Sequence, residues 1–262
     1  MSQTQQITNV LIVGATGSIG RLTVQAAQRH GLHPRALVRD VRRAERLLPG
    51  VELVAGDLED PASLRRAVEG IDAIVLTHGS GGDSRPDAKA HIDYGGVRNI
   101  LHTLDGARPR VALMTSVYAT RADVPGANPW KRRSERLLRA SGLPYTIVRP
   151  GWFDHAGPTQ RHLVLEQGGT LDGGIARVQI AETLVRSLLT DSALGKTFEL
   201  VATEGAEQSD WSGLFGGLKA DQADALDGAL DPDNLPVASE PSDLREDLDA
   251  VRAARARLGN SH

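Results

Sequence analysis

Cysteine is absent from all 262 residues, which excludes disulfide staples, thiolate metal sites and cysteine nucleophiles together. Aromatic residues are scarce at 3%, three each of Trp, Tyr and Phe, so an aliphatic core is expected and any aromatic cluster is a local feature. No stretch reaches the run of about 18 apolar residues that a membrane-spanning helix needs. Residues 1–6 carry neither a basic region nor an apolar signal core, so the expected compartment is the cytoplasm and no membrane partner is expected. The 8 histidines never fall into a His-Glu-x-x-His pattern and the acidic residues specify no ligand cage, so no metal is expected. Nor is positive charge in excess: 30 Lys and Arg against 33 Asp and Glu leave a net charge of -3 and no electrostatic case for nucleic acid.

What is present is apolar material, 40% of the chain, enough for one elaborated core, with 24% charged residues for a solvated surface. The charge is unevenly spread. Residues 1–198 carry 25 basic against 19 acidic residues, a net +6, whereas residues 199–262 carry 5 against 14, a net -9. A basic body of this kind either draws a phosphorylated ligand or presents ordinary solvated surface that salt would screen.

Short β-favouring runs recur at residues 8–13, 35–38, 51–55, 73–77, 111–115, 145–148 and 197–201. Most are separated by helical patterns, clearest at residues 61–68, 128–140 and 178–189, and that rhythm predicts a doubly wound α/β fold around a mainly parallel, seven-stranded sheet. After residue 205 the text becomes acidic and interrupted, with Trp211, Leu214, Phe215 and Leu218 anchoring a short helix before an Asp-rich connector. From Ser242 onward Leu244, Leu248, Val251 and Leu258 form an apolar stripe, acidic residues sit early and arginines late, and a terminal helix follows. The expected organisation is a Rossmann-type core over residues 1–204, including part of a substrate pocket, and a helical appendage over 205–262. The terminal stripe either docks on its own subunit or crosses to a partner and makes a homodimer.

The run Gly14-Ala15-Thr16-Gly17-Ser18-Ile19-Gly20 follows the first strand directly and opens the first helix. Gly14 permits the tight turn, Gly17 lets a pyrophosphate approach the backbone, and Gly20 allows close helix packing, while amides around Thr16, Ser18 and Ile19 favour the anion. The motif lacks the Lys-Ser/Thr ending of a nucleotide triphosphate loop. At the end of the second strand Arg39 stands where a carboxylate would accept from an NAD ribose, and its guanidinium fork suits a 2'-phosphate, with Arg42 or Arg43 as a second contact. NADP (NADPH) is therefore the expected cofactor, with NAD kept open by Asp40. Asp57 and Leu58 follow the third strand and either border an adenine or cap a turn. His78 and Gly79 follow the fourth and either meet the dinucleotide or belong to a solvent loop.

These residues, together with Lys131, Glu135 and the segment Ser141-Gly142-Leu143-Pro144-Tyr145-Thr146-Ile147-Val148-Arg149-Pro150-Gly151, resemble the atypical short-chain dehydrogenase/reductase family, particularly its NmrA-like NAD(P)-binding branch. The resemblance covers residues 8–202. It implies a catalytic Ser or Thr after the fifth strand and a Tyr four residues before a Lys. Ser116 and Lys131 match the first and last of these, but the tyrosine position falls on Ala127. Ordinary carbonyl reduction thus lacks its phenol, and Tyr118 or water is the substitute proton donor. By the resemblance Lys131 orients the nicotinamide ribose, whereas the spacing alone allows a surface pair with Glu135. Ser116 either polarises a substrate carbonyl or caps a strand end. Trp130, Trp152 and Phe153 flank an apolar pocket or pack in the core, with core packing the simpler account of Phe153, and Asp154 with His155 relays a proton or caps the turn.

The function expected on these grounds is an NADP-dependent oxidoreductase acting on a small carbonyl-like or conjugated organic substrate. The alternatives are a non-catalytic NAD(P)-sensing regulatory protein, motivated by Ala127 and the acidic tail, and a non-redox isomerase or lyase on the same fold.

Overall fold

The computed structural model describes residues 6–121, 123–124 and 128–259. Alternation of strand and helix is set by the chain's own punctuation. β1 (Asn9–Val13) runs into α1 (Ser18–Arg29) through the glycine turn, and Gly31 leads to β2 (His33–Val38). Asp40 caps α2 (Val41–Leu47) by accepting from the Arg43 amide at 3.0 Å. After β3 (Glu52–Ala55), Asp60 caps α3 (Pro61–Val68), whose Pro61 occupies the first turn where no amide partner is needed. β4 (Ala73–Leu76), a π-helical turn at Lys89–Tyr94, α4 (Gly95–Thr103) and β5 (Arg110–Met114) follow. Asn128 then caps α5 (Pro129–Ser141), which Gly142 ends in a left-handed conformation at φ 65°.

The remaining elements are β6 (Tyr145–Pro150), β7 (Trp152–Phe153), β8 (His162–Glu166), β9 (Gly174–Ile175), α6 (Arg177–Leu189), β10 (Lys196–Thr203), α7 (Trp211–Gly216) and α8 (Ser242–Gly259). The main sheet has the order β3-β2-β1-β4-β5-β6-β10-β8. All seven strands expected from the sequence are in it and are parallel. An eighth, β8, adds antiparallel to β10, and β7 and β9 pair separately. β8 escaped the sequence reading because only Leu163 of its five residues is buried. The strand order reverses between β1 and β4, which opens a crevice beyond their carboxyl ends.

Strand alternation divides β1 between two apolar layers. Val10 and Ile12 pack with Val24, Ala27 and Leu184 of α1 and α6, whereas Leu11 and Val13 pack with Leu64, Ile100 and Leu137 of α3, α4 and α5. The core is mainly aliphatic, as the scarcity of aromatics requires.

The acidic segment is tied to α5 by ion pairs. α5 carries four arginines, of which Arg132, Arg136 and Arg139 are each no more than 4% exposed. Asp227 pairs with Arg132 at 2.8 Å and Arg136 at 2.7 Å, Glu240 meets Arg136 at 3.2 Å and Arg133 at 2.8 Å, and Asp221 reaches Arg139 at 3.2 Å. The positive charge of α5 is therefore neutralised within the chain and is not a free cationic surface drawing in a ligand. α8 docks on α4 and α5 of its own chain. Leu244 and Leu248 are 4% exposed, and Asp247 accepts from the Tyr94 hydroxyl at 2.9 Å. The Leu258 side chain of the expected stripe lies outside the described residues.

One ion network is almost wholly buried. Arg149, 1% exposed, donates from Nε and Nη2 to both oxygens of Glu135 at 3.0 and 2.6 Å, from Nη1 to Glu199 at 3.0 Å and to Asp231 at 2.7 Å. Burial works against the Arg149 charge, but Glu135 and Asp231 overcome it and hold the guanidinium protonated. Burial pushes the Glu199 carboxyl up in spite of Arg149. Asp231 is buried too, yet its hydrogen bonds from Arg149 pull it down to about 2.

Candidate active site

Beyond the carboxyl ends of β1, β2, β3, β4 and β5 lies a cleft of about 640 Å³. Its floor is the glycine turn. Gly14 has φ 83°, and a Cβ there would stand 2.8 Å from the His78 amide nitrogen; a Cβ on Gly20 would stand 2.0 Å from the Gly14 carbonyl oxygen. Both positions are closed to any side chain by backbone. Gly17 differs: a Cβ there meets only the Gly14 oxygen, at 3.1 Å, and is otherwise open. Gly17 is also the N-cap of α1, and no side chain caps that helix. The turn is thus a hollow with the positive end of a helix at its base, which suits an anionic bridge.

The structure brings thirteen of the sequence-predicted residues to this cleft. Gly14, Thr16, Gly17, Ser18, Ile19 and Gly20 form the floor; Arg39, Asp57 and Leu58 stand at one end, and His78, Gly79, Ser116 and Lys131 toward the other. Arg39 is exposed, whereas Arg42 and Arg43 do not line the cleft and Asp40 is engaged as a helix cap. Asp57 accepts from the Glu59 amide at 3.0 Å, so its turn-capping role is realised at the cleft wall.

At the other end, Lys131 does not pair with Glu135. Its ammonium lies 2.8 Å from Asp93 and 3.4 Å from the His78 carbonyl oxygen. Asp93, 2% exposed, also accepts from the Ser80 hydroxyl at 2.6 Å and from Asn128 Nδ2 at 2.9 Å. Burial alone would raise the Asp93 carboxyl, but Lys131, Ser80 and Asn128 hold it below the usual carboxylate range. Asp93 was not singled out from sequence. It reads there as one acid among apolar residues, and it turns inward because the π-helical turn shifts its register. Burial, reinforced by Lys131, pushes His78 down to about 4, so the imidazole is neutral, and its buried Nδ1 has no partner.

Ser116 follows Thr115, whose Oγ1 donates to Glu135 at 2.7 Å and so ties the end of β5 to the Arg149 network. Tyr118 is elsewhere. It does not line the cleft; its backbone is left-handed at φ 62°, its ring tilts against Trp152 with centroids 6.2 Å apart, and burial together with the Asp172 carboxylate pushes its phenol up. Phe153 is 37% exposed and lines the cleft, which overturns its expected place in the core. Trp130 packs on Tyr94 at 5.7 Å under the Arg133 guanidinium. Asp154 pairs with Arg177 at 2.9 Å, and His155 stacks on Trp152. Ala127 lies outside the described residues. No helix among the described residues is long and apolar enough to cross a membrane.

The closed glycine floor, the cation at Arg39 and the Lys131–Asp93 pair fit a nicotinamide dinucleotide. Comparison with known proteins agrees. The chain is 26% identical to sanguinarine reductase of Eschscholzia californica over 82% of its own length and 97% of that protein's. It is 31% identical to the uncharacterized sugar epimerase YhfK of Bacillus subtilis (strain 168), over 75% of this chain and 94% of that one. Among solved structures, a putative NAD-dependent epimerase/dehydratase from Bacillus halodurans superposes with a TM-score of 0.68 at 26% identity, covering 75% of this chain and 95% of the other. A family model described as NAD(P)H-binding matches residues 14–191, from the glycine turn to just past α6, and the chain belongs to that family, among the atypical short-chain dehydrogenases/reductases.

Proposed function

We propose that this protein is an NADP-dependent oxidoreductase acting on a small carbonyl-like or conjugated organic substrate. The observation that carries the reading is the convergence of Ser116 and Lys131 on the cleft that the glycine turn and Arg39 also line. The reductase among the relatives supports the same class of chemistry.

When bound, the nicotinamide supplies a hydride; the chain's task is to bind, orient and polarise. The amides of the glycine turn would hold the pyrophosphate, and Arg39 would hold the 2'-phosphate. Lys131, fixed by Asp93, donates to the nicotinamide ribose hydroxyls. Ser116 donates to the substrate oxygen as negative charge develops there. With Tyr118 off the cleft, solvent water rather than this phenol would supply the proton.

Two variants test these roles. Arg39→Ala is expected to weaken NADP roughly tenfold and leave NAD nearly unchanged, read by calorimetric titration of both cofactors. Equal losses would remove Arg39 as the selector. Ser116→Ala is expected to lower kcat by about 100-fold with NADPH affinity intact, followed as substrate-dependent NADPH oxidation. Unchanged turnover would remove Ser116 from the chemistry.

A further inference from the structure

We propose that Asn234 is a positioning residue that ties the loop carrying Ser116 to the helix carrying Lys131; this rests on the reductase reading and adds a residue to the same site. Ser116 and Lys131 can act on one substrate only while β5, which ends at Met114, and α5, which starts at Pro129, keep a fixed relation. Ser116 itself stands on the loop between them. Within that loop Tyr118 has φ 62°, a conformation that a bulky residue keeps only where its surroundings hold the backbone.

Asn234 supplies such a hold, from beyond residue 191 where the family match stops. Its Nδ2 donates to the Thr120 carbonyl oxygen at 2.9 Å, four residues after Ser116. Its Oδ1 accepts from Arg132 Nη1 at 2.5 Å, on the residue after Lys131. Neither bond can run the other way, because a carbonyl only accepts and a guanidinium only donates. The side chain at this position must therefore donate and accept at once, as a carboxamide does. Among the described residues, no other side chain outside the two elements bonds both α5 and residues 115–121.

Of the two ends, α5 is the anchored one. Arg132 is 2% exposed and is held as well by Asp227 at 2.8 Å and by the Pro232 carbonyl oxygen at 2.9 Å. The loop leaves the sheet after the Val117 amide donates to the Pro150 carbonyl oxygen at 3.0 Å, and Asn234 takes it up at Thr120. A second tie starts in the same segment: Asp231 accepts from Arg149, Arg149 donates to Glu135, and Glu135 accepts from Thr115 beside Ser116. That chain is buried, so breaking it disturbs the fold. Asn234 is exposed and can be changed without opening the core.

The test follows NADPH oxidation by the full chain with menadione and phenanthrenequinone as acceptors. Asn234→Ala is expected to lower kcat about tenfold, with KM and NADPH affinity within about twofold of the parent and Tm within about 4 °C. Hydrogen exchange at the amides of residues 117–121 should quicken at least about tenfold, with the amides of α5 unchanged. Asn234→Asp keeps the acceptor for Arg132 and removes the donor to Thr120, so it should lose as much as Asn234→Ala. Parental kcat in either variant, unchanged exchange in the loop, or a loss shared by KM and NADPH affinity would overturn the positioning role. No NADPH oxidation by the parent with either quinone would count against the reductase reading instead, and exchange in the loop then still reads the hold of Asn234.

Discussion

Replacing Arg149 by methionine is expected to cost about 3–5 kcal/mol of stability. The side chain is 1% exposed and is shared by Glu135, Glu199 and Asp231, themselves buried at side-chain exposures of 0%, 0% and 2%. Methionine fills much of the volume but leaves Glu199 and Asp231 without their paired cation and Glu135 with only Arg139 at 3.5 Å, so the buried carboxylates must take up protons or remain charged in a poor solvent. A domain of this kind has about 5–15 kcal/mol in total, so the loss is a large fraction of it. Urea unfolding followed by circular dichroism measures it; a loss below about 1 kcal/mol would show that the network contributes no more than an exposed pair. The damage also reaches the cleft, because Glu135 accepts from Thr115, the neighbour of Ser116.

The second large effect is expected at Gly17. Valine at this N-cap is compatible with its extended backbone, φ -71° and ψ 171°, and its Cβ requires only that the Gly14 oxygen, 3.1 Å away, give by a few tenths of an ångström. The protein should fold with a Tm within about 4 °C of the parent, since the loss of a glycine cap costs a modest amount. The branched side chain then occupies space at the floor of the cleft, where an anionic bridge must approach the amides. NADPH affinity is expected to fall at least about 100-fold, close to 2.7 kcal/mol. Gly20 is a poor test by comparison: a Cβ at 2.0 Å from the Gly14 oxygen disrupts the turn itself, so lost binding there would not distinguish a blocked site from a misfolded one.

Which parts of this molecule were legible in the sequence follows from the range of the interactions involved. The glycine turn and the strand rhythm are encoded within a few residues, and both appear where local chemistry put them. Ser116 and Lys131 were legible through the spacing of the family motif. Asp93 was not, because its inward position depends on a π-helical turn that no apolar period announces. The role of the acidic tail was hidden for a different reason. Asp227 lies 91 residues from Arg136 and Asp231 lies 82 from Arg149, so composition revealed two opposite charges but not their one-to-one pairing. The place of Tyr118 depends on a left-handed backbone at φ 62°, which turns the ring onto Trp152 and which no sequence pattern announces. Phe153 was misread because apolar residues are usually buried, and this one is on a cleft wall.

The account stands on the cleft above the β1–α1 turn being a dinucleotide site. Calorimetric titration of NADPH into the full chain tests it most directly, with Gly17→Val as the paired sample. Saturable binding at one molecule per chain, abolished in Gly17→Val while the variant stays folded, is the result predicted. No saturable heat with the parent protein, or the same affinity in both, would contradict it.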